Sequence, residues 1–113
     1  MIGRPPVNVA AAAMATLVVA AAVACARRPA RSHVVTIQSF TFAPATLTVA
    51  TGDTVVWRNS DFVPHTATAR DAVWDSQSIA GSDGTWRLVA RTPGRHAYYC
   101  TFHPNMQGVI EVR

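Results

Sequence analysis

The 113-residue chain contains no lysine. Its ten basic residues are all arginines, scattered rather than gathered into a stripe, and no nucleic-acid-binding motif accompanies them. A nucleic-acid partner is excluded on those grounds. There are only two cysteines, Cys25 and Cys100, too few for a disulfide framework. After residue 26 no run has the 3.6-residue period of a helix, so a helical fold is excluded for the remainder. Internal repeats and low-complexity segments are also missing there. Charge is modest: without Arg4, nine arginines face six acids, a net +3 that reads as ordinary solvated surface.

The first 26 residues differ from the rest. Met1 to Arg4 is short and basic, and Val7 to Ala24 is apolar apart from Asn8 and Thr16. Small residues at Ala22, Ala24 and Ala26 complete the pattern of a secretory signal. Ala22-Val23-Ala24-Cys25 also resembles a bacterial lipoprotein box, in which Cys25 carries the lipid and becomes the mature N-terminus. Ordinary cleavage after Ala24 or Ala26 is the alternative. So is an uncleaved anchor, although alanine is a weakly apolar residue for spanning a bilayer. The expected organisation is a signal at 1–26, a polar tether at 27–33 and one domain at 34–113. That places the protein outside the cytoplasm, in the periplasm or cell envelope, held to the membrane if Cys25 is lipidated.

The body reads as strands. Alternation puts Val35 and Ile37 on one face, then Leu47 and Val49, Val55 and Trp57, Trp86 and Leu88. The runs are short and rich in Val, Thr and aromatics. Turn chemistry separates them at Ala43-Pro44, Thr51-Gly52-Asp53, Gly81-Ser82-Asp83-Gly84 and Thr92-Pro93-Gly94. This spacing predicts an all-β sandwich or barrel with one core. Asp71 to Ser78 is expected to be a turn of helix or an irregular crossing.

The densest chemistry is the run Tyr99-Cys100-Thr101-Phe102-His103-Pro104-Asn105-Met106. Thiolate, imidazole and thioether are the softest ligands a protein owns, and at this spacing one tight turn brings all three to a point. His65, after Pro64, is a fourth candidate. Two histidines, one cysteine and a weak methionine make up a mononuclear blue-copper site. Each has an ordinary reading alone: a surface-loop histidine, a core methionine, a structural cysteine. Cysteine pairing supports the metal. If Cys25 is lipidated or removed, Cys100 stands alone in an oxidising compartment and needs burial or a metal to survive. A Cys25–Cys100 disulfide and an inert buried thiol are the competing readings. The other histidines are set aside. His33 lies in the tether. His96 shares a strand face with Tyr98 and Cys100 but lies ~13 Å back from Cys100 at ~3.3 Å per residue.

These residues resemble the cupredoxins, the small blue-copper proteins, and among them the amicyanin, pseudoazurin and plastocyanin groups. The likeness covers residues 34–113. It rests on Phe42-Ala43-Pro44, Gly52-Asp53-Thr54-Val55-Val56-Trp57-Arg58-Asn59, Pro64-His65, Thr92-Pro93-Gly94, the Cys100–Met106 run and Gly108-Val109-Ile110. The two-residue gap between His103 and Met106 is most similar to amicyanin. The resemblance implies a Greek-key β-sandwich or barrel and one copper ion. His65, Cys100 and His103 would form the trigonal plane, with Met106 axial. Two positions depart from the family pattern. Thr66 stands where Asn usually ties the ligand loops together, and His96 where an aromatic is common.

The function implied is one-electron transfer between exported or membrane redox partners by a monomer. The downstream histidine of such sites is the exposed one. His103 would therefore be the electron port, ringed by Phe62, Pro64, Pro104 and Asn105 in a patch suited to transient docking. Copper binding and delivery in the cell envelope is the alternative. An enzyme with Cys100 as nucleophile and His103 as base lacks an orienting third group and an oxyanion hole. A purely adhesive sandwich would leave the ligand set as coincidence.

Overall fold

A computed structural model describes residues 2–8, 12–16 and 28–113. Most of the apolar leader, including Cys25 and the lipid attachment expected there, lies outside the described residues. Among those described, no helix is long and apolar enough to cross a membrane.

Eight strands follow one another: β1 Ser32–Gln38, β2 Thr41–Ala43, β3 Thr46–Val49, β4 Thr54–Asn59, β5 Thr68–Ala69, β6 Gly84–Val89, β7 Gly94–Tyr99 and β8 Gln107–Val112. They form two four-stranded sheets, ordered β2-β1-β4-β6 and β3-β8-β7-β5. The pairs β1/β4 and β3/β8 are parallel, and the others antiparallel. The result is an all-β sandwich, as the alternation predicts.

The inward phase is the one the sequence predicts. Val35, Ile37, Val49, Val55 and Trp57 are buried, with Leu47, Trp86 and Leu88 packed against them. Trp57 is the hub of an aromatic core. Its ring lies 5.5 Å from Trp86, 6.1 Å from Trp74 and edge-on to Tyr98 at 5.4 Å. Gly108 lies opposite Tyr98 in the β7/β8 register, where a Cβ would overlap the tyrosine ring. Its lack of a side chain leaves room for the buried Tyr98 ring. The 71–78 segment is an irregular crossing, tied back by a bridge between Thr68 and Asp75.

The strand directions create two poles. β1 and β4 run together, and β7 ends on the same side, so residues 39–40, 60–66 and 100–106 gather at one end. Residues 28–31, 51–53, 90–93 and Arg113 gather at the other, joined by bonds from Gly52 N to Ala90 O and from Thr51 N to Arg113 O. Strand structure begins at Ser32, two residues before the expected domain start at 34, so Ser32 and His33 are not tether. Asp53 is the reason. Its buried carboxylate accepts from Arg28 Nη2, the Arg31 and Ala50 amides and His33 Nε2, at 2.9–3.0 Å. The Arg31 amide, the His33 bond and Arg28 hold its carboxyl far below the usual range despite burial.

Candidate metal centre

Cys100 leaves the end of β7, so the core phase of His96 and Tyr98 carries its thiol inward, where it is free and fully buried. The chain then turns back on itself. His103 N donates to Cys100 O at 3.3 Å, Met106 N to His103 O at 2.9 Å, and Cys100 N to Met106 O at 3.1 Å. The two-residue gaps on either side of His103 thus match a turn whose corners are the three candidate ligands. Met106 is buried at its foot. Across the pole, His65 pairs with Ile79 through reciprocal main-chain bonds of 3.1 and 2.7 Å. That ladder fixes a completely buried imidazole in an otherwise irregular stretch.

The donor atoms converge. The Nδ1 atoms of His65 and His103 each lie 3.7 Å from Cys100 Sγ, and one donor from each of the three residues falls within 4.8 Å of the others. A first-row ion with metal–sulfur and metal–nitrogen bonds of about 2.3 and 2.0 Å, held in a trigonal plane, separates nitrogen from sulfur by roughly 3.7 Å. The three residues therefore fit one such ion. Two imidazoles and a thiolate, with buried Met106 closing the same turn, are a donor set that suits copper among the first-row metals.

Outer contacts hold the donors. The Thr66 amide donates to Cys100 Sγ at 3.3 Å, stabilising thiolate charge. Thr66 Oγ1 accepts from the Thr101 amide at 2.8 Å and lies 3.2 Å from Thr101 Oγ1, joining the His65 and Cys100 segments. The threonine hydroxyl thus makes the inter-loop tie expected of the family's asparagine. His65 Nε2 bonds Asp61 Oδ2 at 2.9 Å. Burial pushes the Asp61 carboxyl up, but bonds from the Phe40 and Ser39 amides and from His65 outweigh it and leave it below its ordinary value.

The other histidines are elsewhere. His33 sits at the opposite pole on Asp53. His96 is buried between Asp71 Oδ2 at 2.6 Å and the Thr92 carbonyl at 2.8 Å. Two residues escaped the sequence reading. Asp61 carries no spacing signal that singles it out. Phe40 has its ring edge-on to His65 at 5.1 Å and to His103 at 4.9 Å. Phe62, expected beside His103, is 94% exposed, and Pro64, Pro104 and Asn105 are also exposed.

Known proteins give the same picture. A family model described as a cupredoxin-like domain matches residues 8–112. The chain is 29% identical over 94 residues to amicyanin of Paracoccus versutus, covering 80% of this chain and 71% of that one. It is 30% identical over 83 residues to amicyanin of Paracoccus denitrificans, covering 70% and 63%. Among solved structures, an oxidized methionine-to-leucine variant of amicyanin superposes with a TM-score of 0.66 at 27% identity, covering 71% of this chain and 80% of that one. With this fold, this donor set and these relatives, the chain belongs to the cupredoxin-like family, and its cofactor is a single copper ion.

Proposed function

We propose that this protein is a type 1 copper protein that carries single electrons between redox partners outside the cytoplasm. His65, Cys100 and His103 would hold the copper, with the thioether of Met106 as a fourth, weaker donor. The observation that carries the reading is the pair of equal 3.7 Å separations from Cys100 Sγ to the two Nδ1 atoms, with Cys100 and His65 fully buried. When bound, copper would supply a reversible one-electron couple, tuned by the Met106 sulfur and by the bonds around the thiolate. The residues supply the rest. Burial of Cys100 and Met106 keeps water and oxidants from the sulfurs. The closed turn and the His65–Ile79 ladder hold the donors still, so little has to move when an electron arrives.

His103 is the outward ligand, because its ring is partly exposed while His65 is fully buried. Around that pole the side chains of Phe40, Phe62, Val63 and Phe102 are exposed. They and Pro104 form an apolar rim suited to brief docking of a redox partner. The basic start and apolar run before Cys25 support export, with a lipid on Cys25 as the membrane tether. The mass of the mature N-terminus tests that assignment.

The central test is optical. Purified protein given copper(II) is expected to turn intensely blue through thiolate-to-copper charge transfer, at one copper per chain. Cys100→Ser abolishes the colour. A colourless wild type that takes up no copper would overturn the proposal.

A further inference from the structure

One carboxylate at the copper pole does two things at once. Asp61 accepts a hydrogen bond from His65 Nε2 at 2.9 Å, and it accepts the main-chain amides of Ser39 at 2.7 Å and Phe40 at 3.0 Å. Ser39 and Phe40 both adopt the left-handed conformation, with φ of 52° and 58°, which non-glycine residues avoid. Successive amides turned toward one anion are what make that conformation tenable in the β1–β2 turn. Its consequence is the position of Phe40. The ring stands nearly perpendicular to both imidazoles, at 85° to His65 and 84° to His103, and the imidazoles are themselves only 5.0 Å apart. Asp61 is in turn braced. Its amide donates to Asn59 Oδ1 at 3.1 Å, and buried Asn59 is fixed by the Val63 and Ile79 carbonyls.

We propose that Asp61 is a positioning residue that locks His65 and Phe40 into one unit, presenting His65 as an Nδ1 donor and setting Phe40 as the wall shared by both copper-ligating imidazoles. A carboxylate can only accept a hydrogen bond, so the proton of His65 sits on Nε2 and the lone pair of Nδ1 faces Cys100. The negative charge also makes His65 a stronger donor and favours copper(II) over copper(I). Phe40 covers the gap between the two rings on the side of the pole, where it separates His65 from solvent while leaving His103 partly exposed. The consequences for copper rest on the function proposed above. The tautomer and the turn do not, since the contacts that set them involve protein groups alone.

The test therefore has a metal-free arm and a copper arm. In apo wild type, long-range proton–nitrogen NMR of labelled His65 is expected to show the Nε2–H tautomer, with slow hydrogen exchange at the Ser39 and Phe40 amides. Asp61→Asn is expected to mix the tautomers and speed exchange at both amides together. Asp61→Glu restores the tautomer at least in part. With copper bound, Asp61→Asn weakens copper(II) binding roughly tenfold relative to copper(I), which raises the potential by about 59 mV. Phe40→Ala leaves the His65 tautomer alone and increases solvent access to both imidazoles. An Nδ1–H tautomer in apo wild type would overturn the proposal without any variant. So would an Asp61→Asn protein whose two amides exchange as slowly as wild type, or whose potential is unchanged. A wild type that refuses copper but shows the expected tautomer and protected amides would sink the electron-carrier reading and leave the Asp61 unit standing.

Discussion

Two buried histidines in this molecule are each paired with an aspartate, and they do opposite things. His65 has one ring nitrogen on Asp61, and its other, Nδ1, faces a thiol and a second imidazole. His96 has one nitrogen on Asp71 and the other on the Thr92 carbonyl. A ring with two acceptors has both nitrogens protonated and nothing left for a metal. A ring with one acceptor is fixed in orientation and keeps a lone pair free. Burial and an aspartate partner are common to both, so neither marks a ligand. The marker is what the second nitrogen faces. Position in the fold sets that. His65 lies in the irregular pole between strands, where several segments can converge. His96 lies inside β7, where Trp74, at 5.5 Å, and the strand ends close around it.

The sharpest way to break this contrast is to exchange the roles. His65→Ala is expected to abolish the blue band or reduce it to a weak, altered spectrum, read by copper titration. His96→Phe, which restores the ring size the family favours, is expected to keep full copper stoichiometry and colour. If His96→Phe lost copper as His65→Ala does, the division between ligand and core histidine would fail.

The next effect is on stability. His96→Ala opens a cavity beside Trp74 and strips Asp71 of its partner, and is expected to cost about 2–4 kcal/mol in urea unfolding. The pair also has a pH signature of its own. Burial pushes the His96 pKa down, but the Asp71 bond and the Thr92 carbonyl outweigh it, so the value lies above 6.5. Its contribution is complete below pH 6.5 and disappears as pH rises through the elevated native value. Burial likewise pushes Asp71 up, but the His96 bond and the Val73 amide outweigh it, so the value lies below 3.8. That contribution is present above pH 3.8 and is lost as pH falls through the depressed native value. Stability of the apo protein should therefore fall on both sides of a plateau. His96→Phe should remove the alkaline shoulder, as unfolding midpoints measured across pH would show.

The same contrast explains what could be read from the chain and what could not. Strand phase was legible because Val35, Val55, Trp57 and Tyr98 obey a period of two, and period is a local property. The Cys100–Met106 turn was legible because its three candidate ligands sit at fixed short spacing on one loop. His65 was legible as a lone histidine beside a proline only once that turn demanded a fourth donor. The layer behind the proposed ligands was not. Asp61, Ser39 and Phe40 come from two loops, and loops have no period. Neither Ser39 nor Phe40 announces a left-handed backbone, since the residue type that normally does so is glycine. Asp53 read only as part of a turn, although its carboxylate gathers Arg28, Arg31 and His33 and draws the start of β1 to Ser32. In each case a carboxylate, buried at Asp53 and half-buried at Asp61, organises distant amides, and nothing in its sequence neighbours indicates which amides those are.

The smallest expected effect concerns a feature that His96 lacks, a direct tie between the two segments that carry the proposed ligands His65 and Cys100. Thr66 Oγ1 accepts the Thr101 amide at 2.8 Å, one residue after each of the proposed ligands His65 and Cys100. Thr66→Val keeps the shape and removes the acceptor, so that the bond to exposed Thr101 is lost at a cost of about 0.5–1.5 kcal/mol. The bond from the Thr66 amide to Cys100 Sγ is main-chain and survives the substitution. The two roles of residue 66 can therefore be separated. If the hydroxyl serves only to join the loops, Thr66→Val lowers the unfolding midpoint and leaves the blue band where it was. If the band moves, the Thr66 hydroxyl also positions the thiolate. Thr66→Asn, which supplies the family's usual carbonyl acceptor, should recover the lost stability by reaching the Thr101 amide from the same position. Failure to recover it would mean that the loops in this chain are shaped for a shorter tie, and that the serine-sized reach of a threonine hydroxyl is itself part of the geometry that brings His65 and Cys100 together.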